Sequence, residues 1–107
     1  MSANNTVKPL NANETFVGVW EHPLPNTTTI DYDVFSDTRG LLQIEQSSDG
    51  ITSQSTAYFG YTITDLGLVV STPILFEYFR IKYTNTSDRD EQYIAVFYIS
   101  HEPLPPQ

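Results

Sequence analysis

The chain has 107 residues, no cysteine and a formal charge of −8, from thirteen acidic and five basic side chains. That length suits one domain with one core. Without cysteine there can be no disulfide, thiolate zinc site or thiol nucleophile. The negative field argues against nucleic-acid phosphate or anionic lipid as the main partner, and it admits a cationic ligand or a basic protein surface.

Residues 1–14 are polar, with Ser2, Asn4, Asn5, Thr6, Asn11 and Asn13, and are expected to form a flexible arm. They lack the basic start and apolar run of a signal peptide. Nowhere does the chain approach the ~20 apolar residues that span a bilayer. The expected location is therefore the cytoplasm. A secreted origin is the alternative, carried by Asn4, Asn13, Asn26 and Asn85, each of which opens an Asn-x-Ser/Thr pattern.

From residue 15 to 101 the recurring signal is period two at close spacing, and no helical pattern exceeds two turns. Phe16–Glu21 predicts a first strand, with Phe16, Gly18 and Trp20 on one face. Thr28–Phe35 predicts a second, with Ile30, Tyr32 and Val34 opposite Asp31 and Asp33. Leu41–Gln46 follows, then an Asp49-Gly50 turn, which is a hairpin signal. Ser55–Ile63 aligns Ala57, Phe59, Tyr61 and Ile63, and Leu68–Ser71 is a short apolar strand ended by Pro73. Ile74–Tyr83 and Gln92–Ser100 complete the set, separated by the polar loop 84–91. Three prolines keep residues 102–107 out of any central strand, leaving them as a tail.

The reading is all-β: an up-and-down antiparallel meander of seven or eight short strands. Closure into a barrel would remove the exposed edges, and a sandwich is the alternative. The Phe16-Val17-Gly18-Val19-Trp20 opening resembles the Gly-x-Trp first strand of lipocalin-like proteins. Asp31–Gly40 and Phe59–Val70 resemble later hairpins of short bacterial domains of that type, so the likeness spans about residues 16–100. It implies a calycin-type barrel with Trp20 plugging one end and a small apolar molecule bound in its mouth.

Chemistry-bearing residues are few. His22 sits at a strand end and Glu21 beside it points away, so no acid–base pair is formed, and His101 adjoins the proline tail. Asp31 and Asp33 share a face about 7 Å apart but lack the six oxygens of a hard-cation site, so no metal or cofactor is expected. The leading expectation is a non-catalytic binding protein whose interior is lined by Trp20, Tyr32, Phe59, Tyr61, Phe79 and Tyr83, with Glu77 or Arg80 orienting an apolar or aromatic ligand. A second reading is a protein-interaction or inhibitor module. It would act through an apolar outer face of 74–83 and 93–99, at Ile94, Val96 and Tyr98, with a homodimer as one form. A cavity enzyme, such as an isomerase or cyclase, ranks third.

Overall fold

A computed structural model describes residues 3–62 and 67–99. The expected strands appear with modest shifts of boundary: β1 Thr15–Val17, β2 Thr29–Ser36, β3 Gly40–Ser47, β4 Ser55–Tyr61, β5 Leu68–Pro73, β6 Tyr78–Asn85 and β7 Ile94–Tyr98. Every pairing is antiparallel. The strands form two sheets, in the orders β1-β6-β3-β4 and β5-β2-β7. Among the described residues no strand joins the sheets into a closed barrel.

The topology also departs from a meander. Among the described residues only β3 and β4 pair as sequence neighbours, through the turn at Asp49-Gly50, where Gly50 has φ 71°. The links β2→β3 and β6→β7 each cross from one sheet to the other, yet β2 pairs with β7 and β3 with β6. The two crossovers therefore interlock at one corner. Alternation along a strand reports which face is buried, but it does not report which strand lies alongside.

Inward side chains of both sheets make a single core. Ile30, Tyr32, Val34, Val70, Ile94 and Val96 come from one sheet, and Leu42, Ile44, Tyr61, Phe79, Ile81 and Tyr83 from the other. Tyr98 joins them, stacked on Tyr32 and edge-on to Phe79.

Residues 3–14 are not a loose arm. Thr6 exchanges two backbone hydrogen bonds with Val96, so this segment covers the outer edge of β7. Leu10 enters the core. Asn4 is fully buried and clamps three segments: its Nδ2 donates to the Val19 carbonyl and to Glu21 Oε1, both at 2.7 Å, and its Oδ1 accepts from Ile81 N at 2.9 Å. Gly18 makes room for this clamp, because a Cβ there would lie 1.9 Å from Asn4 Oδ1.

Next to Gly18 the pairing slips. Val17 faces Lys82 and Glu21 faces Phe79, so four steps along the first segment match three along β6. The extra residue is a bulge, and bulges re-aim side chains. Trp20 leaves the face it would share with Phe16 and lies under Arg80, whose guanidinium carbon is 4.4 Å from the ring centroid. Two residues of the glycosylation-like patterns, Asn4 and Asn85, are buried and hydrogen-bonded, and the other two, Asn13 and Asn26, hold turns at positive φ. The buried pair, Asn4 and Asn85, thus serves the fold itself, while Asn13 and Asn26 are exposed in turns.

Candidate functional site

The residues expected to line a ligand cavity divide into three groups. Tyr32, Phe79 and Tyr83 are fully buried and Tyr61 is nearly so, all packed between the sheets with Phe59 at their margin. The Tyr32 hydroxyl donates to the Asn4 carbonyl at 3.1 Å and the Tyr61 hydroxyl to the Ser36 carbonyl at 3.0 Å. Burial, with the nearby Glu21 charge, raises the Tyr32 phenol well above its ordinary range, and burial near Glu91 does the same to Tyr83. These aromatic rings fill the space between the sheets.

Trp20 and Arg80 lie instead on the outer face of the β1-β6-β3-β4 sheet. There Glu45 receives Arg80 at 3.1 Å and Lys82 at 3.3 Å. Burial pushes the Glu45 carboxyl up, but hydrogen bonds from Ser53 and Arg80 and the two cationic neighbours outweigh it and hold the group below its usual value. Glu77 is exposed, on the rim of an open cleft of about 460 Å³ lined also by Ser48, Ile74, Leu75 and Phe76. His22 reaches the Glu77 carbonyl at 2.9 Å and packs on Tyr78.

The expected interface residues also change place. Ile94, Val96 and Tyr98 point into the core, so they cannot form an outer face. The outward positions of β7 are Ala95 and Phe97, which pair with Phe35 and Asp33. Asp33 also pairs with Val69 on its other side. Val69 is 71% exposed, Tyr93 57% and Phe35 40%, and Tyr93 packs edge-on against Phe35. The outer face of β5-β2-β7 is thus an apolar and aromatic patch with Asp33 at its centre. Asp31 lies two residues away on the same side and is largely buried. No lysine or arginine occurs in β2, β5 or β7.

At the interlocked corner sits a polar cluster that periodicity does not mark. Glu91 is 5% exposed; its Oε1 accepts from Leu10 N at 2.9 Å, and its Oε2 accepts from the hydroxyls of Ser36 and Thr38. Asn85 donates to the carbonyls of Leu10, Asn11 and Arg89 and accepts from Thr38 and Ser87. These bonds tie the first segment to both crossovers, which is a structural role. Among the described residues no group of three or more histidines, aspartates or glutamates is placed to hold a metal ion. Nor, among them, is any helix long and apolar enough to cross a membrane.

Two open antiparallel sheets, an interlocked corner and an apolar outer face define an all-β two-sheet domain. The chain belongs to the family of the N-terminal domain of the uncharacterised protein YqxG, whose model matches residues 1–95. The crystal structure of the PBSX exported protein XepA has a similar fold, with a TM-score of 0.74 at 16% identity, over 95% of this chain and 40% of that one. At that identity the likeness concerns the fold alone. The chain spans less than half the length of the XepA chain, and no curated protein matches it. Neither match is to a lipocalin, and the two-sheet topology gives the Gly18-x-Trp20 triplet a different basis: clearance for Asn4, then a bulge.

Proposed function

We propose that this domain is a non-catalytic protein-binding module that engages its partner through the outer face of β5-β2-β7. The observation that carries the reading is the exposure of Val69 beside Asp33, and of Phe35 and Tyr93 further along the same face, whose strands hold no cationic side chain. Grouped exposed apolar side chains of this kind mark interaction sites, and aromatic residues supply much of the affinity at such sites. The small-ligand reading draws less support, because the aromatic rings it needs are packed against one another. XepA is named an exported protein, and we carry the same place of action to this domain as part of the proposal.

A photo-crosslinking amino acid placed at Val69 or at Tyr58, an exposed residue on the opposite sheet, tests the reading in whole cultures, cells and medium together. The expected result is a discrete protein adduct from position 69 that Phe35→Ser abolishes. Equal adducts from both positions, or none from 69, would overturn it.

A further inference from the structure

We infer that the partner presents a lysine or arginine flanked by apolar side chains to the Asp33 patch. The inference rests on the protein-binding reading above and adds the chemistry of the partner. Asp33 stands mid-strand with Val69 and Phe97 as its cross-strand neighbours. Aspartate is unfavourable in a strand, and an exposed mid-strand position is ordinarily served better by threonine or a β-branched residue. Among the described residues no side chain is hydrogen-bonded to or ion-paired with Asp33, in contrast to Glu45, which holds both Arg80 and Lys82.

The patch therefore combines a carboxylate with the ring of Phe97 beside it and, further along the same face, the Phe35–Tyr93 ring pair. A cation seated there would meet both a counter-charge and aromatic faces, while apolar neighbours on the partner would cover Val69 and Ala95. Charge complementarity also argues against the other occupants. A second copy docked about a two-fold axis through this patch would set its Asp33 against the first copy's, a like-charge contact. An anionic membrane surface would be repelled by the same carboxylate within a chain of net charge −8.

Panning a random dodecapeptide phage library on the purified protein, with counter-selection on Phe35→Ser, isolates peptides that use this face. Enriched peptides are expected to carry lysine or arginine beside apolar residues. A synthetic copy of the leading peptide should lose about tenfold in affinity on Asp33→Asn, and should weaken as salt rises. Asp33→Thr should give the same loss with an unchanged or higher Tm, which separates binding from folding. Phe35-dependent peptides without a basic residue, or indifferent to Asp33→Asn, would overturn the cationic partner and leave the protein-binding face standing. If no selected peptide depends on Phe35, both fall. Detection of a dimer in which Val69 or Phe35 crosslinks to its own copy would replace the inferred partner with a second chain.

Discussion

The two sheets share one core but differ on their outer faces. On β1-β6-β3-β4 the ring of Trp20 is capped by Arg80, and Glu45 is met by Arg80 and Lys82. On β5-β2-β7 the rings of Phe35 and Tyr93 are open, and Asp33 has only apolar cross-strand neighbours. The first face pairs its charges and caps Trp20 within the chain, so Glu45, Arg80 and Trp20 serve stability, although Tyr58 and Val17 stay exposed there. The second leaves its interactions incomplete, so its residues contribute little to the fold and remain available to something else.

Substitutions should separate the faces by stability alone. Glu45→Ala should be the most damaging, because it leaves Arg80 and Lys82 without their counter-ion in a partly buried setting; about 2–3 kcal/mol is expected from urea unfolding. Trp20→Ala should follow at about 2 kcal/mol, as a half-buried ring and its cation contact are lost together. On the other sheet, Phe35→Ser should stay within about 0.5–1 kcal/mol of the parent. Asp33→Thr should raise stability by about 0.5 kcal/mol, the reverse sign. If Asp33→Thr cost as much as Glu45→Ala, the two faces would not differ as described.

Acid offers a smaller and independent test. The Glu45 carboxyl is held below its ordinary value in the fold, so it binds a proton less readily there than in the unfolded chain. Its contribution is therefore present above the unfolded pKa and is lost as pH falls through the folded one. Melting temperature measured between neutral pH and about pH 3 should fall, and Glu45→Gln should flatten part of that fall.

Much of the fold was legible in the residues. Ile30, Tyr32 and Val34 alternating with Asp31 and Asp33 fix both a strand and its buried side, and Asp49-Gly50 marks the hairpin of β3 and β4. The last strand was legible as a strand but not as to its facing. Ile94–Tyr98 is apolar on both sides, so alternation cannot say that Ile94 and Val96 turn inward while Phe97 turns out. The first segment was misjudged for a related reason. Asn4, Thr6 and Asn85 are buried through hydrogen bonds, and such burial leaves no hydrophobic signature. Strand order depends on which crossovers interlock, and no local pattern encodes that. The candidate face was legible in part: Asp33 and Phe35 stand out as outward residues of one strand, but Val69 and Tyr93 join them only through the pairing.

The clasp between the first and last segments bears on how the domain is made. Tyr98 N donates to Asn5 Oδ1 across 93 positions, and Leu10 is bonded to Glu91 across 81. On a ribosome the earliest residues emerge with their partners still unwritten. Asn4 and Leu10 must wait in water until β6 and β7 have cleared the exit tunnel. The native sheets can then form only once the chain has been read through Tyr98 and that strand has left the tunnel, so the decisive step of folding waits for the last strand.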